Sequence, residues 1–526
     1  MTLSVVVRRF LDVQCESFAL HSVQIFACGC NIRLQNTDTE HRYRTPMSTA
    51  YVRTARIGES LTVERTSHMN ITYNAQRNPH LGAPGVTTMH GEAQSSDATP
   101  LPGPGAGQWR ITGTKLGGAC PTILAGRDGF IQVLCTQVFA HGEFITPKLS
   151  ILDPHTGREL SHLDIPKGAL LGGVYAYLDA KDRMVLVDGS QCLLKLGHSS
   201  DGRSIRVEER IDLSRMLAQS PKDAVVGLVP DWGGRIWVAT KNGYVAVVDA
   251  ERGTIRSIRL NRASVAGERI DNSISACPLG VSVVTSHAIY MLQASAAGEP
   301  TLRWWHAYDR GTARKPGKLA WGSGASPTFF GPNGSDYVML TDNADVQESV
   351  IVYRTEDGSK VGSAGLFTAG ASGTENSMIG VGNTMVGANT YGYPYPKYPE
   401  GAGPSVPATA LFAPGMERWD ITDRGLRKIW DRKDVYSSAV PRYSAADELI
   451  YTCERRRGPA GAANGAYVWA VALDMKTGRT VHEQRLPQHV SLLLGGGDTL
   501  QMVGTIDRFG TWWQGTISGV YRIAKA

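Results

Sequence analysis

The sequence predicts an all-β protein: an eight-bladed β-propeller of four-stranded antiparallel blades. Three observations predict it. The chain of 526 residues carries 59 glycines, about 11% against a usual ~7%, with only 19% charged and 42% hydrophobic residues. Apolar runs ending in a small polar residue recur eight times from residue 131 onward. Turn signals such as Arg127-Asp128-Gly129, Asp201-Gly202, Gly233-Gly234 and Asp357-Gly358 separate them. High glycine with few charges suits short strands and tight turns, and excludes a disordered, collagenous or coiled-coil chain.

The eight runs are IQVLCT (131–136), MVLVDG (184–189), RIWVAT (235–240), VSVVTS (281–286), YVMLTD (337–342), TMVGANT (384–390), LIYTCE (449–454) and LQMVGT (500–505). From Thr136 to Thr505 they step at about 53 residues, a propeller period. Each is preceded by a short strand (ACPTIL, GGVYAYL, DAVVGLV, NSISAC, ASPTFF, NSMIGVG, AVPRYS, HVSLLL), and most are followed by an alternating one, such as YVAVVD or YVWAVALD. Period-2 runs bounded by Gly, Asp and Asn read as antiparallel strands. The last repeat lacks its fourth strand, and Gln108-Trp109-Arg110-Ile111-Thr112 is placed to supply it, which removes an open sheet edge. Seven blades is the alternative if a terminal repeat is not a blade. The domain reading is a non-native or disordered extension over 1–46, an irregular segment over 47–107, and one propeller over 108–526.

Lys and Arg number 54 against 48 Asp and Glu, a net charge of +6. The basic residues are scattered, apart from Arg455-Arg456-Arg457, so no basic stripe with stacking aromatics points to nucleic acid. No apolar run is long enough to span a membrane, and Phe18 to Cys30 lacks the apolar core and cleavage site of a signal peptide. Cys135, Cys192 and Cys277 sit in apolar strands and read as buried free thiols, which favours a reducing compartment. The expected location is the cytoplasm.

Some third strands end in a marked turn. Ala472-Leu473-Asp474-Met475-Lys476-Thr477-Gly478, Leu152-Asp153-Pro154-His155-Thr156-Gly157 and Val248-Asp249-Ala250-Glu251-Arg252-Gly253 are three copies of it. In each, Asp caps the turn through backbone N–H groups and Gly takes a positive φ. The pattern resembles the repeat of the pyrroloquinoline-quinone alcohol-dehydrogenase-like propellers. That resemblance implies the architecture over 108–526. The docking tryptophan of the repeat is replaced by His482, Ser161 and Ser257, and no adjacent cysteine pair is present to cover a quinone. The expectation is therefore a quinoprotein-like propeller without quinone or haem.

Loops leading into the first strand and out of the second share one face around the channel, here called the front face. They bring forward Asp271-Asn272-Ser273, Gly324-Ala325-Ser326, Glu375-Asn376-Ser377, Ser437-Ser438 and Gln488-His489, together with Asp342-Asn343-Ala344-Asp345, Asn389-Thr390-Tyr391-Gly392-Tyr393 and Cys453 to Arg457. The acid-Asn-Ser echo at Asp271 and Glu375 suits carbonyl polarisation and proton movement, or oxygen ligation of Ca²⁺ or Mg²⁺. It equally suits satisfaction of backbone groups. Asp342 to Asp345 reads as an Asx turn or a ligand site. The Tyr- and Pro-rich insertion 391–414 reads as a lid, or as a docking segment for a protein partner. Arg455 is placed to hold an anion.

The expected function is an enzyme for a small organic molecule: a lyase, isomerase or hydrolase of lactonase type, free of redox cofactor or assisted by a divalent metal. Glu375, His489 and Asp271 are the catalytic candidates. Asn272, Asn376, Asn389, Tyr391, Tyr393, Asp342, Asn343 and Arg455 are the substrate-binding candidates. The rival readings are a scaffold that binds protein or glycan, and a degenerate quinoprotein oxidoreductase.

Overall fold

The computed structural model describes residues 71–526, apart from 138–145, 167–174, 218–219, 221–222, 265–266, 397, 400, 458–465 and 491–495. Within the first 70 residues it describes four strands, Ser22–Ala27 paired with Cys30–Gln35 and Glu40–Thr45 paired with Ser48–Arg53. Most of the extension expected at 1–46 lies outside the described residues.

Eight sheets carry the propeller. The first strand of each blade, nearest the channel, is in order Gly118–Ala125, Tyr177–Leu178, Val225–Pro230, Ser275–Cys277, Thr328–Phe330, Ile379–Val381, Arg442–Ser444 and Thr505–Ile506. Blade 8 closes as expected. Trp109–Lys115 pairs antiparallel with Gly519–Lys525, so the two chain regions lock each other and the third strand of blade 8 is not left as an open edge.

Blade 8 also carries a correction. Its second strand is Trp512–Thr516, and LQMVGT leads into the first strand instead of forming the second. The cause lies in blade 7, whose fourth strand Thr480–Val490 runs for 11 residues and takes up the start of HVSLLL, about twice the usual strand length.

Two kinds of aspartate set the turns. After third strands, Asp153 Oδ1 accepts the N–H groups of His155 and Thr156, and Asp474 Oδ1 accepts that of Thr477. After first strands, Asp231 accepts the N–H groups of Gly233 and Arg235 and the indole of Trp237. Asp507 does the same with Phe509, Thr511 and Trp513. The docking tryptophan is not lost in every blade. Trp430 on blade 6 donates to Met475 O at 3.0 Å, and Trp304 on blade 4 donates to Thr355 O at 2.9 Å. A Cβ on Gly478 or Gly358 would come within 2.7 Å of those indoles, so these glycines serve close approach as well as positive φ.

The cysteine reading is corrected too. Cys135 is bonded to Cys120 across the first two strands of blade 1, while Cys192 and Cys277 are free and buried. A disulfide persists in oxidising compartments, so the thiol argument for a reducing compartment falls. Among the described residues no helix is long and apolar enough to cross a membrane.

The compact unit that holds the propeller begins at Ile71, not at 108. A first strand pairs on one side with the second strand, and its other edge faces the channel with free N–H and C=O groups. Residues 86–99 satisfy that edge. Ala125 N–H donates to Val86 O (3.1 Å), Leu178 to Thr87 O (2.8 Å), Ala276 to Ala93 O (2.7 Å), Phe329 to Gln94 O (2.9 Å), Gly380 to Ser96 O (3.0 Å) and Tyr443 to Asp97 O (2.9 Å). Blades 1, 2, 4, 5, 6 and 7 are thus visited in order by a segment rising along the sequence. Ala98–Thr99 then adds a parallel fifth strand to blade 7. Six such bonds contribute about 1 kcal/mol each.

The plug also buries charge. Glu92 accepts the Ser96 N–H (2.9 Å) and the Tyr73 hydroxyl (3.1 Å). Fully buried Arg442 donates to Met89 O and Gly504 O, both at 2.9 Å. Gly91 has φ +102°, and a Cβ there would lie 2.8 Å from both Ala98 O and an Arg442 nitrogen. Burial pushes the Glu92 carboxyl up to about 7, against the lowering by its hydrogen bonds and by Arg442.

A carboxyl raised on folding stabilises the fold fully below its unfolded pKa of about 4.5, and that stability is lost as pH rises through about 7. Glu92→Gln removes this dependence, which is on the order of 3 kcal/mol. Denaturant melts should show the variant gaining on the wild type between pH 5 and pH 8. Parallel pH profiles for the two proteins would contradict the burial of an acid in the plug.

Candidate functional site

Three blades in succession place a serine two residues ahead of the first strand: Ser273 on blade 4, Ser326 on blade 5 and Ser377 on blade 6. Two of the hydroxyls meet one imidazole from the plug, the segment of residues 86–99. Ser326 Oγ lies 3.3 Å from His90 Nε2, and Ser377 Oγ lies 3.0 Å from His90 Nδ1. Asp97 Oδ1 is 2.9 Å from the same Nδ1, and the other Asp97 oxygen accepts the Ser377 hydroxyl. Ser273 and Ser326 are hydrogen-bonded to each other. All five residues are buried. The plug backbone shapes this group, since Asp97 N–H donates to His90 O and closes a loop that faces the two side chains together.

Glu375 stands two residues ahead of Ser377. Its Oε2 accepts the Leu319 N–H at 2.6 Å, and its Oε1 lies 3.5 Å from the Tyr395 hydroxyl. Burial pushes the carboxyl up to about 7, and the charges of Asp271 and Glu348 add to this. The Leu319 N–H and Lys318 act the other way. Behind it, Lys318 pairs with Glu348 at 2.9 Å with both side chains fully buried. Glu348 also accepts the Thr374 N–H at 2.7 Å, which fixes the loop that carries Glu375.

The other expected site residues divide. Asn272 belongs to the group: its Oδ1 accepts the Tyr175 hydroxyl and the Ser273 N–H, and its Nδ2 donates to Gly324 O. Asn376 Nδ2 donates to Gln501 Oε1 at 2.9 Å. Asp271 is beside Glu375 in charge terms but is held by Arg269 at 2.8 Å.

Asn389, Asp342 and Asn343 are scaffold. Asn389 accepts from Gly373 and Tyr391 N–H and donates to Ala371 O and Pro414 O, so it is fully used in tying the insertion down. Asp342 Oδ1 accepts the Ala344 and Ser349 N–H groups, and burial pushes its carboxyl up to about 6. Asn343 Nδ2 donates to Arg310 O and Ala313 O.

Arg455 pairs with Asp498, which also accepts the hydroxyl of buried Tyr393. Neither is open to an anion or a substrate in this arrangement. Tyr391 lies against Gly373. Within the insertion it is therefore Tyr395, not Tyr391 or Tyr393, that reaches the Glu375 carboxyl. His489 is not at the channel: it lies on the fourth strand of blade 7 opposite Tyr467, and its side chain is outside the described residues.

Among the described residues no set of three or more His, Cys, Asp or Glu is grouped to hold a metal ion. Residues 86–99 run along the described axis, and the cavity between them and blades 2 to 4 is lined by His90, Glu92, Tyr175 and Ser273.

No protein-family profile matches the chain. A protein of Archaeoglobus fulgidus described as uncharacterized is 24% identical over 320 residues, covering 56% of this chain and 61% of that protein's length. Among solved structures, the quinohemoprotein alcohol dehydrogenase from Comamonas testosteroni superposes with a TM-score of 0.54 at 11% identity, over 86% of this chain and 82% of that one. A europium-containing methanol dehydrogenase gives 0.48 at 9% identity, over 83% of this chain and 98% of that one. At such identities the likeness is one of fold. The first of these agrees with the propeller fold that the repeats imply, and activity is argued from the site.

Proposed function

We propose that the protein is an enzyme that acts on a small organic molecule at the front of the plugged channel, by acid–base chemistry centred on Glu375. The observation that carries this reading is the Glu375 carboxyl itself: buried, held by one backbone N–H on one oxygen, and poised at about 7. A general acid or base works best near the operating pH, and burial is the usual way a carboxyl is brought there. Tyr395 stands 3.5 Å from its second oxygen, where a substrate hydroxyl or carbonyl could be engaged. Proton transfer at carbon or oxygen fits a lyase, an isomerase or a hydrolase of the lactonase kind, and needs no redox group.

Glu375→Gln should lower kcat by at least about 100-fold on any small ester, lactone or hydroxy acid that the wild type converts, a loss typical of one acid–base group. The melting temperature at pH 8 should not fall, because an ionised buried carboxyl is removed. Acting as a base, Glu375 should make the wild-type rate rise with pH through about 7. Full turnover in the variant would overturn the assignment.

A second reading, docking of a protein partner on the insertion, is favoured by the exposure of Val406 and Leu411, at 64% and 76%. It predicts a stoichiometric partner on co-purification that Val406→Asp with Leu411→Asp releases. Retention of the partner by that double variant would count against the docking surface.

A further inference from the structure

We propose that the front-face site carries a serine–histidine–aspartate relay for acyl transfer, with Ser326 as nucleophile, His90 as general base and Asp97 as the residue that orients the imidazole, acting on an ester or lactone. It rests on the reading of the front face as catalytic, and it names the reaction there.

The hydrogen positions follow from counting donors and acceptors. Ser377 gives its hydroxyl hydrogen to one Asp97 oxygen, so toward His90 its oxygen only accepts. Asp97 Oδ1 and Ser377 Oγ, at 2.9 and 3.0 Å, therefore both face a hydrogen on Nδ1. The lone pair is left on Nε2, 3.3 Å from Ser326 Oγ. Ser326 has two other acceptors in reach, the Ser273 hydroxyl oxygen and Asn272 Oδ1 at 3.2 Å. The Asn272 oxygen already takes the Tyr175 hydroxyl and the Ser273 N–H, which fill its two lone pairs. With Ser273 as the donor of the serine–serine bond, the orientation the relay uses, the Ser326 hydrogen is directed at Nε2. A hydroxyl on one ring nitrogen and a buried carboxylate on the other is the arrangement that activates a serine, and it is recognised by geometry and not by fold. Ser377 in turn fixes the carboxylate.

Four residues from three distant parts of the chain, the plug and blades 5 and 6, meet in this network.

The chemistry balances with water as the only co-reactant. Ser326 Oγ bonds to the acyl carbon while its proton passes to Nε2. The alkoxide leaves with that proton. Water then opens the acyl-enzyme, giving up its proton through Nε2 to Ser326 Oγ. The products are a carboxylic acid and an alcohol, joined in one molecule when the substrate is a lactone, and no electron is transferred.

The test is reaction of the full chain with a fluorophosphonate. The expected result is one phosphonyl adduct by intact mass, with fluoride released, mapped to Ser326. Ser326→Ala should form no adduct. Asp97→Asn reverses the hydrogen on Nδ1 and should slow labelling about 10³-fold or more while circular dichroism stays native. His90 anchors the plug, so Ser326→Ala, the smallest change, is the deciding variant. No adduct on the folded wild type, an adduct that survives Ser326→Ala, or an unchanged rate in folded Asp97→Asn would each overturn the relay. Turnover that persists in Ser326→Ala but is lost in Glu375→Gln overturns the relay alone. Turnover that persists in both overturns the acid–base reading as well.

Discussion

Every first strand of this propeller has an edge with no neighbouring strand from its own blade's repeat, and the rest of the structure depends on how that edge is satisfied. Water filling the channel is one solution. This chain uses its own residues 86–99, whose carbonyls accept N–H groups from six blades in turn. The hydrogen bonds fix the depth and rotation of the segment, because each carbonyl has one blade to meet. The buried Arg442, donating to Met89 O and Gly504 O, ties the plug to blades 7 and 8. The plug also delivers side chains, His90 and Asp97 above all, to the centre of the front face.

The plug and the blades therefore build the site jointly. The blades contribute residues that three repeats share, the serines at 273, 326 and 377. The plug contributes the imidazole that meets Ser326 and Ser377, with Ser273 joined through Ser326. The insertion after Asn389 adds a third layer. Its base is fixed by the four hydrogen bonds of Asn389 and by Tyr393 on Asp498. That anchoring leaves Tyr395 to approach Glu375. Buried ion pairs such as Lys318–Glu348 contribute little net stability, but losing one partner is costly, so they hold the loops in a single arrangement.

Much of the fold was legible in the sequence because propeller blades are local. Strand alternation, Asp turns and the missing fourth strand that Trp109–Lys115 supplies are all written within one repeat or at the chain's closing point. The acid-Asn-Ser echo at Asn272, Glu375 and Asn376 lies just ahead of the first strands of blades 4 and 6. The plug was not legible. Residues 71–107 have no apolar periodicity, since their backbone partners lie in blades tens to hundreds of residues away and any side chain that fits will do. His90 and Asp97 were missed for that reason. His489 was misplaced because an unusually long fourth strand carried the register past the expected blade boundary. Asn389, Asp342 and Asn343 show the other limit: a carboxamide or carboxylate in a loop looks the same in sequence whether it binds a ligand or caps a turn.

Hydrogen exchange of the native full-length protein tests the plug most directly. The amides of Ala125, Leu178, Ala276, Phe329, Gly380 and Tyr443 donate to plug carbonyls and should exchange only with global unfolding, as slowly as the central strands of the blades. Peptides spanning residues 86–99 should share that protection. Exchange of the 86–99 peptides within seconds, with the blade strands still protected, would show the segment outside the channel and contradict the account.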